Sequence, residues 1–568
     1  MQKKIVINCD NRQTRVALLE DGKPVEIYLE RPIHQRVVGN IYKGVVSNVL
    51  PGMQAAFVDI GLERNAFLYV DDALLPDECN GKHQFKKKIE QLLRPGDILM
   101  VQVIKEPFGS KGARLTRQIT FPGRHLVLMP TAEYAGVSRR IEEPEERERL
   151  RQIASELRPD GMGLIVRTVA EKQDQDAFRQ DLSFLLSLWE RIQARYDKQS
   201  APSLVYQDLD LVYRIIRDLF TEQINELLVD KRYEYDKILE ALEILGPALK
   251  GRVKHYNEEL PIFDAFGVET EIEKALSRIV WLNCGGYLVF DYTEALTVID
   301  VNTGKYIGKT NLADTVLKTN KEAAAEIIRQ VRLRDIGGII IIDFIDMESE
   351  EHRKQVLEVL TEKAKDDRTK SHILGLTALG LVEITRKKAR QGLDAVLQQT
   401  CCYCGGRGKV LTADVVSART ERQLKDFLAG LDAEAVLLEA HHSVAGLLIG
   451  PGGSYLRKLE EETGKNIFIR GSETIHVEKY RILATGKLAD VESVVSPVEV
   501  GEHYELKVEE PHLNNPYDGI GRISGFVIDV QAGGAYVGEK VTVQITQVAR
   551  TFAKAKIVHS PFTGQKIV

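Results

Sequence analysis

The pattern of hydrophobic and polar positions divides the chain into stretches of short strands and stretches of amphipathic helix. Short alternating runs at regular spacing fill residues 38–118, which predicts a small β-barrel of the OB type. Other alternating runs predict strands at 501–508, 521–530, 535–537, 540–549 and 552–558. Apolar residues at helical spacing predict helices at 142–157, 176–196, 209–228, 236–245, 269–280 and 412–432. A chain of 568 residues is therefore expected to form several mixed α/β domains.

Two predicted strands that end in carboxylates lie between residues 285 and 346. The chain turns at 292–294 and returns to Asp300 and Asn302, whose side chains share a face because they are two residues apart. A helical pattern follows, and then a strand at 339–344, where four consecutive isoleucines predict burial on both faces. This strand leads into Asp343 and Asp346.

The two strands are expected to be parallel and close, with their carboxyl ends at the same edge of the sheet. Asp343 and Asp346 point to opposite faces, so that one of them joins Asp300, but the spacing does not choose between them. A single aspartate at a strand end more often caps a turn. Two such carboxylates beside Asn302 instead predict a Mg²⁺ site, because Mg²⁺ prefers oxygen ligands.

Composition adds little about partners. The hydrophobic fraction of 43% and the charged fraction of 28% are typical of a globular protein, and the net charge of −6 gives no sign of nucleic acid. Any RNA would be held by local basic patches, of which 386–390 is one candidate and a solvated face the alternative. The start of the chain turns polar too early for a secretory signal, and no apolar run reaches about 18 residues, which predicts a cytoplasmic protein without a membrane span.

The cysteines predict a metal link rather than disulfides. Cys401 and Cys404 form a C-x-x-C that lets two thiolates bind one Zn²⁺, yet zinc requires four ligands. The cysteines outside this cluster, Cys9, Cys79 and Cys284, are isolated, so the missing pair is expected from a second subunit. A redox C-x-x-C is the alternative, although its usual sequence context is absent. Cys402 is an additional thiol.

Two motifs near the C-terminus indicate RNA binding. Gly450 and Gly453 fit the GxxG loop of a KH-like domain, in which glycine lets an RNA backbone approach closely. The strands after residue 497 look like a TRAM-type barrel.

Three ordered strings, DVNTGK from Asp300, RQVRLRDIGGIIIIDFIDM from Arg329 and CCYCGGRG from Cys401, together resemble the bacterial ribonuclease E/G endoribonucleases over about residues 1–480. This resemblance implies that Asp300 and Asp343 bind the catalytic Mg²⁺, that Asn302 orients the scissile phosphate, and that Cys401 and Cys404 share a zinc between two chains. It implies an RNase H-like fold in two parts (1–37 and 211–280), an S-one-type RNA-binding barrel (38–118), a 5′-sensor (119–210), a DNase I-like catalytic subdomain (281–400), a zinc link (401–410) and a KH-like domain (411–490), followed by the TRAM-like barrel (495–568).

The same resemblance assigns RNA contacts. The 5′-phosphate sensor would comprise Gly123, Val127, Arg167, Thr168 and Lys370. Lys370 replaces an arginine of the family, so the preference for a 5′-monophosphate is expected to be weaker. In the barrel, Phe57 and Phe67 either stack on bases or belong to the core, and Lys43, Lys111 and Arg114 are candidate phosphate contacts.

The expected function is Mg²⁺-dependent endonucleolytic cleavage of single-stranded, A/U-rich RNA with a preference for 5′-monophosphorylated substrates, in rRNA and tRNA processing and mRNA decay. The expected assembly is a zinc-linked homodimer, with a tetramer left open. The lack of a long polar tail predicts the ribonuclease G-like type of this family. The alternative is a non-catalytic RNA-binding or translation-linked protein, for which Asp300, Asn302 and Asp343 together would have no use.

Overall fold

The computed structural model describes residues 2–31, 37–74, 88–107, 111–304, 312–377, 379–388, 390–495, 498–513, 515–523, 526–549 and 552–559. The chain divides into two compact units, residues 1–398 and 399–568. The sequence KHQFKKK at 82–88 is typical of a solvated basic loop, and it falls almost wholly outside the described residues.

The first unit begins with three antiparallel strands, β1 (Lys3–Cys9), β2 (Thr14–Glu20) and β3 (Lys23–Glu30). The barrel follows, comprising β4 (Ile41–Leu50), β5 (Ala55–Asp59), β6 (Ala66–Tyr69), α1 (Val70–Ala73), α2 (Ile89–Leu92), β7 (Ile98–Lys105) and β8 (Arg114–Thr116). Strand β4 pairs with both β5 and β7, and this closes the sheet around an apolar core. The predicted β-barrel is confirmed.

A four-stranded sheet covered by two helices comes next. Its elements are β9 (Phe121–Pro122), β10 (Leu126–Met129), β11 (Ala135–Val137), α3 (Pro144–Leu157), β12 (Gly163–Val166) and α4 (Gln175–Lys198). Leu128 and Leu164 of the sheet pack with Phe178 and Trp189 of α4 in one core. The chain then returns to the barrel, where β13 (Ser203–Tyr206) pairs with β4.

The next segment completes the N-terminal sheet. It contains α5 (Leu211–Asp218), β14 (Glu226–Val229), α6 (Arg232–Leu245), β15 (Val253–His255), α7 (Ile262–Ala265) and α8 (Val268–Leu276). The sheet order is β15-β14-β1-β2-β3. The helix predicted over 209–228 is wrong beyond Asp218, because Glu226–Val229 forms a strand parallel to β1. A short apolar run buried on both faces carries no periodicity that separates a strand from a helix.

The six-stranded sheet that holds the two aspartates follows. Its elements are β16 (Ile279–Trp281), β17 (Tyr287–Tyr292), β18 (Leu296–Asn302), α9 (Leu312–Leu333), β19 (Gly338–Asp343), α10 (Glu350–Ala364), β20 (Ser371–Leu376), β21 (Leu381–Arg386) and, after the sheet, α11 (Leu393–Leu397). The order is β16-β17-β18-β19-β21-β20, and β18 and β19 run parallel as predicted.

This sheet is covered on one face. Ile340 and Ile342 are fully buried in a core with Ile327 of α9 and Leu360 of α10, whereas Ile339 is 48% exposed. The prediction that the isoleucine strand is buried on both faces is therefore wrong. The physical reason is that α9 and α10 both pack against the same side, which leaves the face of Ile339 open.

The second unit contains a three-stranded sheet with helices and a closed barrel. The first part has α12 (Ala413–Ala429), β22 (Ala435–His441), α13 (His442–Ile449), α14 (Ser454–Thr463), β23 (Asn466–Ser472), β24 (Tyr480–Gly486) and α15 (Leu488–Val495). The barrel has β25 (His503–His512), β26 (Asn515–Ile523), β27 (Phe526–Gln531), β28 (Lys540–Val548) and β29 (Phe552–His559), closed in the order β25-β26-β27-β29-β28.

Two predictions for this barrel are wrong. The single strand expected at 521–530 comprises the end of β26 and most of β27, which pair antiparallel. The strand expected at 535–537 falls mainly on a 3-10 turn, Gly533–Tyr536. Across the described residues no helix is long and apolar enough to cross a membrane.

Candidate active site

Asp300 and Asp343 end two neighbouring parallel strands and lie directly opposite each other. The register pairs Leu296 with Ile339 and continues in step to Asp300 with Asp343. Both residues are exposed, and paired residues on adjacent strands lie about 5 Å apart with their side chains on the same face. The register therefore selects Asp343, rather than Asp346, as the neighbour of Asp300.

Asn302 lies on the same strand face as Asp300. Its Nδ2 donates a hydrogen bond of 2.7 Å to Oδ2 of Asp300. An amide nitrogen has two protons to donate, so that one remains for a ligand beside the carboxylates.

The electrostatics of this edge suit a cation. Partial removal from water and the negative charges of Asp300 and Asp346 raise the pKa of Asp343. No ion pair in the described part of the chain neutralises Asp300 or Asp343. Two adjacent, uncompensated carboxylates with an amide beside them fit a hard divalent cation such as Mg²⁺.

Asn320 of α9 fixes the backbone just beyond Asp343, and the sequence analysis did not identify it. It is fully buried, donates to the carbonyl of Ile345 (2.8 Å) and accepts from the Ile345 amide (3.2 Å). The signal that could have identified it is an asparagine on the apolar face of a predicted helix, where an amide needs a specific partner.

Comparison with known proteins identifies the family of this chain. The chain matches the ribonuclease E/G family over residues 120–389, a KH domain over 436–494 and a TRAM domain over 497–558. Ribonuclease G of Escherichia coli (strain K12) is 41% identical over 487 residues, which cover 85% of this chain and 100% of that protein. The chain belongs to the ribonuclease E/G family.

Other relatives agree with this ribonuclease E/G membership. Ribonuclease G of Haemophilus influenzae is 40% identical over 485 residues, covering 84% of this chain and 99% of that protein. Ribonuclease E of Nostoc sp. is 42% identical over 415 residues, covering 72% of this chain and 59% of that protein.

The structure brings Arg167 into contact with Gly123, two of the residues that the ribonuclease E/G resemblance assigns to a 5′-sensor. Arg167 donates to the carbonyl of Gly123 and forms an ion pair of 2.7 Å with Asp218. Thr168 shares a hydrogen bond of 2.9 Å with Ser138. Val127 is half-buried on β10.

Lys370 is an exposed residue immediately before β20. Arg140, which follows β11, connects the segment before β20 to the four-stranded sheet that carries Arg167. The Arg140 guanidinium donates to the carbonyl of Arg368. The sensor segment and the loop that carries Lys370 are therefore in contact.

Asp181 explains the glycine at position 123. Its buried carboxylate accepts hydrogen bonds from the backbone amides of Arg124, His125 and Leu126, at 3.1, 2.8 and 2.9 Å. A Cβ at Gly123 would lie 2.6 Å from the carboxylate oxygens. Sequence reasoning missed Asp181, because a helical aspartate gives no local sign that it faces inward.

The barrel residues have different environments. Phe57 and Phe67 are paired across β5 and β6, are half-buried, and meet edge to face at 6.0 Å, so each retains accessible ring surface. Lys43 donates to the carbonyls of Tyr196 and Gln199 at 2.7 and 2.9 Å, and Arg114 forms two hydrogen bonds with Asp72. Lys111 is exposed. The structure thus commits two of the three candidate phosphate contacts to bonds within the protein.

In the second unit, Cys401 is exposed and Cys404 half-buried. Hydrogen bonds from the backbone of Cys404 and Tyr403 lower the pKa of the Cys401 thiol, and the Gly408 amide donates to the Cys404 Sγ at 3.3 Å. Amide donors of this kind suit thiolates that bind a metal. Within the described residues no group of three or more metal-binding side chains forms, so this chain offers the pair alone.

The GxxG loop is a tight turn between α13 and α14. Gly450 and Gly453 have φ of +70° and +76°, in the left-handed region that favours glycine. A Cβ at Gly450 would also lie 2.5 Å from the Tyr455 ring.

Proposed function

We propose that this ribonuclease E/G family member is an endoribonuclease that requires Mg²⁺ and cuts single-stranded, A/U-rich RNA. Water would attack a phosphodiester and leave a 5′-phosphate and a 3′-hydroxyl. The observation that carries the proposal is the direct pairing of Asp300 with Asp343 at an open sheet edge. The expected fold assignments, RNase H-like for the N-terminal sheet and DNase I-like for the six-stranded sheet, belong to this proposal.

Three side chains would perform the chemistry. Asp300 and Asp343 would hold the ion, which when bound polarises a phosphoryl oxygen and lowers the pKa of a water molecule. Asn302 fixes the orientation of the Asp300 carboxylate through its hydrogen bond and retains one N–H for a phosphate oxygen.

The proposal includes a preference for RNA with a 5′-monophosphate. The Arg167 guanidinium, which is bonded to Gly123 and Asp218, would offer its planar fork to a phosphate by exchanging those partners. Thr168 would add a hydroxyl and Lys370 a charge. Their support is the contact of Arg167 with Gly123 and of Arg140 with the Lys370 segment. The biological substrates would be rRNA and tRNA precursors and mRNA.

The proposal also includes a zinc shared between two chains. Cys401 and Cys404 would each supply one thiolate, and the same pair of the partner subunit would complete four ligands. A homodimer would follow directly, and two such dimers could pair into a tetramer.

Cleavage of a 5′-monophosphorylated, A/U-rich RNA with Mg²⁺ tests the core of the proposal. Asp343→Asn should lower the cleavage rate by about 10²-fold or more while RNA binding persists. Asp291→Asn, on the neighbouring strand, is the matched control and should cut at the wild-type rate. RNA binding by every variant without cleavage by the wild type would instead indicate a non-catalytic RNA-binding protein.

A further inference from the structure

An exposed pair of aromatic rings lies on the open face of the catalytic sheet. Trp281 of β16 is 63% exposed, and its ring centre lies 5.2 Å from that of the half-buried Tyr287 on β17, with the ring planes tilted by 55°. The other tryptophan of the chain, Trp189, is 7% exposed inside a core. Large aromatic side chains are costly to leave in water, so an exposed pair is a candidate for contact with a ligand.

The register places this aromatic pair in line with the catalytic residues. Tyr287 pairs directly with Asn302 across β17 and β18, and Trp281 pairs with Tyr287 across β16 and β17. Directly paired residues share a sheet face, so Trp281, Tyr287 and Asn302 form one row. Since neighbouring strands are about 4.8 Å apart, the Cα of Trp281 lies roughly 10 Å from that of Asn302.

The chain that leaves the catalytic strand also packs against Tyr287. A Cβ at Gly304 would lie 3.3 Å from Cδ1 of the Tyr287 ring and 2.5 Å from the carbonyl oxygen of Gly285. Gly304 has φ of +59°, so glycine suits both the turn and the close approach. The position of the Tyr287 ring is thereby tied to the strand end that carries Asp300 and Asn302.

We propose that Trp281 and Tyr287 form a stacking platform for an unpaired base of the RNA that is being cut, next to the phosphate at Asp300 and Asn302. This proposal rests on the proposed function and extends it to the substrate's conformation. A base can stack here only when it is free of its own partner strand, so the platform selects single-stranded RNA at the cleavage site. Stacking on aromatic rings tolerates any base.

With the proposed Mg²⁺ bound, the charges on this face favour RNA over a protein partner. The carboxylates of Asp300 and Asp343 lie on the same face as the platform, and a protein surface that covered the row would remove them from water. An RNA strand leaves them with the cation that binds its phosphate. The face is therefore suited to a nucleotide that continues from the catalytic edge.

Fluorescence tests the contact without relying on cleavage. In the full chain carrying Asp343→Asn, the emission that disappears on adding Trp281→Phe is that of Trp281. A 5′-monophosphorylated, A/U-rich single strand should quench this difference emission in parallel with binding followed by RNA anisotropy. The proposal is overturned if RNA binds and leaves the difference emission unchanged. It is also overturned if the difference emission shifts with protein concentration before RNA is added, because that shift would indicate a second copy of the chain on this face.

Cleavage kinetics supply a second arm. Trp281→Ala should lower kcat/KM by about tenfold, whereas Trp281→Phe retains most of it. Tyr233→Ala, which removes another ring that is 56% exposed, is the matched control and should match wild type. A set of RNAs, each with one abasic nucleotide at a different position around the cut, locates the stacked base. One of these RNAs should have a lower kcat/KM than the intact RNA with the wild type, whereas Trp281→Ala should cleave that RNA and the intact RNA with equal kcat/KM.

The two failures are distinguishable. Wild-type kcat/KM for Trp281→Ala, or abasic effects that are equal in the two proteins, overturns the platform and leaves the nuclease intact. Absence of RNA cleavage by the wild-type chain overturns the proposed function, and the platform with it.

Discussion

At the scale of single residues, a buried asparagine organises the backbone at the end of β19. Asn320 uses both its donor and its acceptor on the backbone of Ile345, between Asp343 and Asp346. A buried amide that satisfies both the N–H and the C=O of one residue restrains that backbone more than an apolar side chain could. The position of Asp343 opposite Asp300 therefore depends on α9 as well as on the sheet.

The raised pKa of Asp343 predicts how Mg²⁺ binding depends on pH. Partial removal from water and the charges of Asp300 and Asp346 favour the protonated form of Asp343. Its carboxylate therefore ionises at a higher pH than that of an ordinary aspartate. Mg²⁺ affinity, measured by calorimetry, should weaken as the pH falls through this raised pKa.

Asp346→Asn removes one of those negative charges, so the loss of Mg²⁺ binding should move to lower pH. Asp291→Asn should leave the midpoint unchanged, since Asp291 is paired with Arg278. An unmoved midpoint in Asp346→Asn would contradict the electrostatic account.

Replacing Lys370 by arginine is expected to strengthen the proposed preference for a 5′-monophosphate. Lys370→Arg supplies a planar fork where lysine offers a single point charge, so one further hydrogen bond to a 5′-phosphate becomes available. The ratio of cleavage rates for 5′-monophosphorylated over 5′-hydroxyl RNA should rise by about fivefold, the worth of about one net hydrogen bond. Lys363→Arg, an exposed lysine on α10, should leave this ratio unchanged.

At the scale of secondary-structure elements, α9 joins two sheets. Its apolar residues pack under the catalytic sheet, while Arg332 near its end reaches the N-terminal sheet. There the guanidinium binds Glu20 of β2 and Glu26 of β3, with all three side chains at most 8% exposed. Arg332 and Lys3, which also pairs with Glu20, together compensate the two carboxylates, and the Arg332 contact fixes the helix against both sheets.

Replacing Arg332 should therefore strongly destabilise the folded chain. Arg332→Met leaves Glu26 buried without a cation and Glu20 with Lys3 alone, which should lower the free energy of unfolding by about 3–5 kcal/mol. Urea unfolding followed by far-UV circular dichroism measures this change. Arg151→Met is the control, because its partnership with Glu148 is more than half exposed on both sides and should contribute less than about 1 kcal/mol. Equal effects of the two substitutions would contradict the buried network.

At the scale of the whole molecule, the two units carry different parts of the proposed RNA binding and the proposed assembly. The unit at 1–398 holds the carboxylates, the sensor residues and one barrel, while the unit at 399–568 holds the cysteines, the KH domain and the TRAM domain. Since each chain offers two cysteines of a four-ligand zinc site, the proposed zinc couples metal binding to association.

Cys401→Ser should convert the proposed dimer to monomers and abolish the proposed zinc binding. Serine is a poor zinc ligand, and each subunit would retain only Cys404 of the proposed ligand pair. Light scattering after size-exclusion chromatography, with zinc determined by atomic absorption, measures both effects. Cys402→Ser is the matched control and should keep the dimer and its metal. A dimeric Cys401→Ser protein would remove the zinc from the account of assembly.

The sequence by itself determined those features of the structure that depend on the spacing of neighbouring residues. Alternation predicted the barrel at 38–118, helical periodicity predicted α3, α4 and α9, and the strand–helix–strand pattern predicted that Asp300 and Asn302 lie at a strand end near a second carboxylate. These features depend on the periods of a strand and a helix, which are properties of neighbouring residues.

The tertiary structure decided whatever depends on pairing between distant segments. The register of β18 with β19 selected Asp343 over Asp346, and the side on which α9 and α10 pack exposed Ile339 and the aromatic row. The strand at Glu226–Val229 and the use of Lys43 as an internal anchor also depend on partners far along the chain. The physical reason is that burial and hydrogen bonding are settled by which surfaces meet, and a short apolar or charged run is compatible with several such surfaces.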